Sequence, residues 1–275
     1  MKKESKRKVI YFLIYTILTI LITLSIIYII NIFLDKKQAI QESKLLDKIE
    51  INENQVNETI TEEIVNESTQ ENIEETINQE NERILKVQKL QEENPDIVGW
   101  LEIEGTSINY PVLQGDDNEY YMTHNYKKQK SKNGSIFLTK DYDWSIPSSN
   151  LLIYGHNLSN GTMFQELLKY EKEDFYKKHP IIRFTTNNED AEYEIISAFK
   201  SRVYYKSEKN VFRYYYFVNA KTEAEYNEFV QNAKKASLYN IDKTAQYGDQ
   251  LITLSTCSYH VEDGRFAVVG RKTTK

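Results

Sequence analysis

Val9 to Leu34 is a run of 26 residues without a single charge, and no other feature narrows the possible folds of this chain so far. About 20 apolar residues are enough to cross the hydrocarbon core of a bilayer. The run exceeds the apolar stretch of a secretory signal, and Asp35, Lys36 and Lys37 follow it where small residues of a cleavage site would stand. A buried core helix would be shorter and amphipathic. Lys2, Lys3, Lys6, Arg7 and Lys8 precede it, so the positive-inside rule keeps residues 1–8 in the cytoplasm and sends everything after residue 34 outside. A cleaved export signal is the competing interpretation, and it too places the rest of the chain outside.

Charge divides what remains. Residues 41–82 hold 13 acidic side chains against Lys44 and Lys48, a local charge of −11, with neither Gly nor Pro. Ile73, Ile77 and Ile84 make too thin a stripe for a coiled coil, and such composition favours an extended, solvated spacer. Residues 35–82 are therefore expected to form an acidic stalk. From Arg83 to Lys275 the 26 basic and 26 acidic residues cancel. A nucleic-acid binder would show a basic domain, so that class is set aside. The single cysteine, Cys257, excludes an internal disulfide and a four-cysteine zinc site.

The globular domain is expected over residues 83–275. Ile84, Val87 and Leu90 predict a first helix, which Asn94-Pro95 ends because the residue before proline avoids the α region. Eight β-rich runs follow: Trp100–Ile103, Ile108–Val112, Gly134–Leu138, Asn150–Tyr154, Ile181–Thr185, Tyr193–Phe199, Leu251–Cys257 and Phe266–Arg271. A helix is predicted over Met163–Tyr170. Another is predicted over Thr222–Tyr239, opened by a Thr222/Glu225 capping box, with Tyr226, Phe229, Val230 and Ala233 along one face. Eight strands with few helices make a mostly-β, closed or nearly closed barrel.

Chemistry concentrates at strand ends. Cys257 closes the apolar strand Leu251-Ile-Thr-Leu-Ser-Thr-Cys257 and opens onto a polar turn. A lone cysteine is commonly a small buried hydrophobe, but strand ends are where reactive residues gather. A thiol with an ordinary pKa of about 8.5 needs a neighbouring cation to become a nucleophile. Among the histidines, His124 and His179 lie in polar surroundings. His260 shares the turn after Cys257, and His156 leaves the strand Leu151-Leu-Ile-Tyr154 behind Gly155, a residue expected to allow a sharp turn. Arg265 opens the strand that follows Cys257 in a hairpin and could stabilise an oxyanion; Arg271, six residues on, is the competitor.

Three motifs then give a resemblance. Thr253-Leu-Ser-Thr-Cys257 followed by Arg265, and Tyr154-Gly-His-Asn157 running into Gly161-Thr-Met-Phe164, resemble the signatures of sortases, the membrane-anchored cysteine transpeptidases of Gram-positive bacteria. Gly99-Trp-Leu-Glu-Ile-Glu-Gly-Thr-Ser-Ile-Asn-Tyr-Pro-Val112, Gly134-Ser-Ile-Phe137, the N-terminal helix and the helix before the cysteine strand resemble class B members. Asp141-Tyr-Asp-Trp-Ser145 is only faintly similar to the lid of class C sortases: Trp144 stands where that lid has Pro, and no second apolar segment follows. It is taken as a loop.

The resemblance implies an eight-stranded sortase barrel behind a transmembrane helix. It implies Cys257 as nucleophile, His156 as general acid/base and Arg265 as stabiliser of the substrate carbonyl or oxyanion. Ser255, and in the first long loop Asn118 and Met122, would line the sorting-signal groove. No metal or organic cofactor is implied. The partners would be surface proteins carrying a C-terminal sorting signal and an amine of the cell-wall peptidoglycan precursor. A hydrolytic cysteine protease at the membrane surface and a non-enzymatic membrane-tethered protein are the alternatives.

Overall fold

The computed structural model describes residues 14–34, 37, 67–146 and 148–273. Helix α1, Ile14–Leu34, spans 21 residues with none of its apolar surface buried against the rest of the chain. At 1.5 Å per residue it is about 30 Å long, the thickness of a hydrocarbon core. Residues 9–13 of the apolar run lie outside the described residues, as do residues 35, 36 and 38–66 of the acidic stalk.

Helix α2 runs from Glu67 to Glu93 and not from Arg83. The last third of the acidic segment is thus one continuous helix with the first helix of the domain, and the boundary expected at residue 83 falls inside it. Glu and Gln keep their rotamer freedom in a helix, so an acidic, Gly-free segment can extend one that is already anchored downstream. The anchor is Val87 and Leu90, both fully buried against Ile97, Trp100 and Leu113. A second tie lies further back: Arg83 donates through Nε and Nη2 to Asp190 Oδ2 at 2.9 and 2.6 Å. Asp190 is 5 % exposed.

A fragment starting at Glu67 is therefore expected to keep its full thermal stability, and one starting after Arg83 is expected to lose some. Without Arg83, the Asp190 carboxylate retains Thr185 Oγ1 at 2.6 Å and Arg183 at 3.8 Å. Leaving a buried charged acceptor short of partners costs about 1–3 kcal/mol. Thermal unfolding of the two fragments measures the difference.

All eight predicted strands form. They are β1 Ile97–Glu102, β2 Asn109–Leu113, β3 Ile136–Leu138, β4 Asn150–Tyr154, β5 Ile181–Thr185, β6 Asp190–Arg202, β7 Leu251–Cys257 and β8 Gly264–Lys272. They close into a barrel in the order β1-β2-β3-β4-β7-β8-β6-β5. β2/β3 and β4/β7 pair in parallel, and the other neighbours are antiparallel. Closure leaves no free sheet edge. Leu152, Ile196, Leu254, Phe266 and Val268 are among the fully buried side chains of its core.

Of the helices predicted inside the barrel sequence, the Met163–Tyr170 segment is a 3₁₀ helix over Gln165–Glu171. A short helix, α3, follows at Glu173–Lys178. Helix α4 is Glu223–Ala236, three residues shorter than expected at its C-terminal end. Thr222 Oγ1 accepts from Glu225 N at 3.2 Å, while the Glu225 carboxylate reaches Lys221 N at 2.8 Å. Tyr226, Phe229, Val230 and Ala233 are its buried face, as the periodicity predicts. Ser197 Oγ donates to Ala233 O and docks α4 onto β6.

Candidate active site

The parallel pairing of β4 with β7 sets the geometry. Tyr154 is the Cα partner of Ser255, and Gly155 N donates to Ser255 O at 3.1 Å. Beyond that pair Asn157 Nδ2 donates to Cys257 O at 3.0 Å, so the segment carrying His156 leaves β4 beside the Cys257 end of β7. On the other side of β7, Cys257 is the Cα partner of Arg265 in β8. The ends of three neighbouring strands, with His156 just past β4, thus carry His156, Cys257 and Arg265 at one rim of the barrel. Cys257 is a free thiol of intermediate exposure.

Gly155 is needed here for space and not for an unusual turn. Its φ is not positive, which corrects the expectation from sequence. A Cβ at residue 155 would lie 2.4 Å from Ile136 Cδ1 and 2.7 Å from the Phe164 ring. Only glycine lets the chain leave β4 this close to the core. The exit is then secured twice: Thr256 Oγ1 donates to Gly155 O at 2.8 Å, and Phe164 N donates to His156 O at 2.8 Å.

The imidazole is held from a third direction. Its Nε2 lies 2.7 Å from the main-chain oxygen of Met122. His260, by contrast, has Nδ1 2.9 Å from Ser258 Oγ within its own turn. His179 Nδ1 sits 2.8 Å from Glu104 O, and His124 Nδ1 sits 2.8 Å from Tyr120 O. Of the four histidines, His156 is the one next to Asn157, whose side chain bonds to the main chain of Cys257.

Arg265 carries its charge without a carboxylate partner among the described residues; Nη1 donates to Gly264 O at 2.9 Å and Asp263 O at 3.3 Å. Arg271 is committed elsewhere, 2.8 Å from Glu194 Oε2 and 3.9 Å from Asp249 Oδ2. It stands opposite Leu251, at the far end of β7. Burial pushes the Tyr154 and Tyr214 phenols far above their ordinary range, and the nearby Arg265 guanidinium partly offsets this in both. Neutral phenols beside an unpaired guanidinium leave its positive charge available to a ligand.

Arg265→Lys is accordingly expected to be nearly as harmful as Arg265→Ala. Lysine keeps the charge and loses the planar fork of donors. Loss of one oxyanion donor costs about 2.7–4 kcal/mol in the transition state. Steady-state kinetics should show the loss chiefly in kcat. Undiminished turnover in Arg265→Ala would remove the residue from the site.

The expected groove residues are placed unevenly. Met122 is exposed beside His156. Asn118 lies in the same loop, but its Oδ1 accepts from Lys140 N at 2.8 Å and braces the loop. Ser255 is 1 % exposed, and its Oγ is 2.7 Å from the Tyr214 hydroxyl. That side chain lies on the same face of β7 as Cys257 but is buried under Tyr214, which comes from the 3₁₀ turn Tyr214–Tyr216. Asp141–Ser145 is a loop between β3 and β4, held by Ser145 N to Asp143 Oδ1 at 2.8 Å and Trp144 Nε1 to Gln114 Oε1 at 2.7 Å.

Two contributors went unassigned in the sequence. Asn157 Nδ2 donates to Cys257 O at 3.0 Å, clamping the strand that carries the thiol to the segment that carries the imidazole. The amide directly after His156 was the available signal. The Met122 carbonyl had none, since a main-chain acceptor leaves no mark in residue type.

The family model of the sortase domain matches residues 101–273. Sortase B of Listeria monocytogenes serovar 1/2a is 34 % identical over 232 residues, covering 82 % of this chain and 89 % of the relative. Among solved structures, a Staphylococcus aureus sortase B–substrate complex aligns with a TM-score of 0.62 at 29 % identity, covering 75 % of this chain and 94 % of that one. Sortase B from Bacillus anthracis in complex with AAEK1 aligns with a TM-score of 0.61 at 32 % identity, covering 69 % of this chain and 85 % of the other.

Proposed function

The chain belongs to the sortase family, as a class B transpeptidase, and from that membership we propose that Cys257, His156 and Arg265 carry the reaction. The Cys257 thiolate attacks the carbonyl carbon of a Thr–Gly-type bond in a sorting signal. Arg265 holds the oxygen on which negative charge develops. The C–N bond breaks, the departing amine takes its proton from His156, and a thioester remains on the sulfur. An acceptor amine then attacks the thioester carbon, gives a proton back to His156, and the C–S bond breaks to restore the thiolate. The observation that supports the assignment is that Cys257 pairs with Arg265 across β7 and β8 while Asn157, next to His156, bonds through its side chain to Cys257 O.

Helix α1 would hold the enzyme in the membrane with residues 1–8 in the cytoplasm and the barrel outside. The acidic stalk would let the barrel stand off the bilayer. Substrates would be surface proteins with a C-terminal sorting signal, and the acceptor an amine of the peptidoglycan precursor. Both are confined to the membrane surface, so tethering raises their effective concentration.

Product analysis tests the proposal. The full chain in detergent micelles, given fluorogenic peptides with a central Thr–Gly bond and a triglycine amine, should yield an amide-linked product that grows with amine concentration. A product that remains the free acid at every amine concentration would make the enzyme a hydrolase.

A further inference from the structure

We infer that Gly134 is a positioning residue for His156, acting through the main-chain carbonyl of Met122 and selecting which imidazole nitrogen carries the proton. The inference rests on His156 being the acid/base of the proposed reaction.

A carbonyl oxygen can only accept. With Nε2 of His156 2.7 Å from Met122 O, the nitrogen on that side must hold a hydrogen, in the neutral ring as in the cation. The proton exchanged with thiol and leaving amine then moves at Nδ1. The tautomer of a functional histidine is set by the hydrogen bond its other nitrogen makes. Here that bond comes from the loop between β2 and β3, 34 residues upstream in the chain.

The position of that carbonyl depends on residue 134. Met122 ends a 3₁₀ turn, Tyr120–Met122. The turn is pinned to the returning segment by Ser135 N to Tyr121 O at 2.8 Å and Ser131 N to Thr123 O at 2.9 Å. Ser135 Oγ adds a bond to His124 O at 2.8 Å. From below, the Tyr121 side chain is buried, its hydroxyl donating to Asp96 Oδ2 at 2.6 Å. Gly134 lies directly against this turn with φ +60°; a Cβ there would stand 2.6 Å from Met122 O, 2.9 Å from Met122 C and 2.7 Å from Tyr121 O. All three are backbone atoms of a segment fixed on both sides. The carbonyl can reach His156 only because residue 134 has no side chain.

Alanine at 134 is expected to push the Met122 carbonyl away and free the ring to take its proton at Nδ1, which blocks the nitrogen that must exchange it. Left-handed strain accompanies the substitution, so a matched control is needed. Gly248 has φ +102° with nothing within 4 Å of its Cβ position, so Gly248→Ala imposes the backbone penalty alone.

The experiment is 15N NMR of the histidine-labelled full chain in detergent micelles, with His156 assigned by His156→Gln, alongside turnover of a fluorogenic Thr–Gly peptide. Where the ring is neutral, wild-type His156 is expected to carry its proton on Nε2. Gly134→Ala should lose that preference and about tenfold or more in kcat, part of the ~10²–10⁴ that acid/base help supplies. Gly248→Ala should keep both tautomer and kcat. A neutral wild-type ring with its proton on Nδ1 overturns the inference, and that reading needs no variant to fold. So does a folded Gly134→Ala enzyme with unchanged tautomer and turnover. Full activity in His156→Gln would instead refute the proposed acid/base, a result separable from the tautomer measurement.

Discussion

Cys257→Ala is expected to eliminate both peptide cleavage and amine transfer while leaving the fold intact. Deleting the nucleophile of a covalent mechanism costs roughly 10⁶ in kcat where it has been dissected. The chain has no second thiol to substitute. The fold should tolerate the change, because the backbone of residue 257 is what the structure uses. Asn157 clamps its carbonyl, and β8 pairs with it opposite Arg265. The sulfur itself is only partly buried. Circular dichroism and thermal unfolding would confirm an unchanged barrel. Wild-type turnover by the variant would end the cysteine mechanism, and a collapsed fold would reinstate Cys257 as a core residue.

The second large effect belongs to His156. His156→Ala should lower kcat/KM by about 10²–10⁴, the usual worth of a positioned acid/base. His260→Ala should change it little. Both imidazoles lie close to Cys257 in sequence or space, and their hydrogen bonds separate them. His260 is bound to Ser258 inside the hairpin turn, whereas His156 is held by Phe164 and Met122 next to Asn157, which bonds to Cys257 O. Kinetics of the two variants on one fluorogenic peptide decide between them. A dead His260 variant beside an active His156 variant would reverse the assignment.

What the sequence discloses and what it conceals have physical reasons. β-branched runs cut by Gly, Asn, Asp and Pro mark each strand, because those residues fit a pleat or break it. β6 extends beyond its apolar centre, from Asp190 to Arg202, since pairing with β5 and β8 pulls charged Glu192 and Glu194 into the ladder. Helix α4 is legible from its cap and its 3.6-residue stripe. Helix α2 upstream of Arg83 is not, because a solvated helix of Glu, Asn and Gln has the composition of a linker. Pairing partners are also hidden: nothing in Asn150–Tyr154 announces that it will lie parallel to Leu251–Cys257, nearly a hundred residues later.

The site follows the same division. Cys257, His156 and Arg265 stand at strand ends in motifs that can be read. The resemblance placed Ser255 in the groove, yet its hydroxyl is consumed by Tyr214, a residue from a 3₁₀ turn whose arrival at β7 no local pattern foretells. Gly155 was visible, but for the wrong reason: the crowding by Ile136 and Phe164 is tertiary.

The most direct measurement of the central claim is the covalent intermediate. The full-length enzyme mixed with a Thr–Gly sorting peptide and no amine, quenched in acid and mapped by mass spectrometry, should carry an acyl group on Cys257. Hydroxylamine or triglycine added before the quench should discharge it, and Cys257→Ala should never acquire it. An acyl group on any other residue, or cleavage that continues with no adduct on Cys257, would contradict the account.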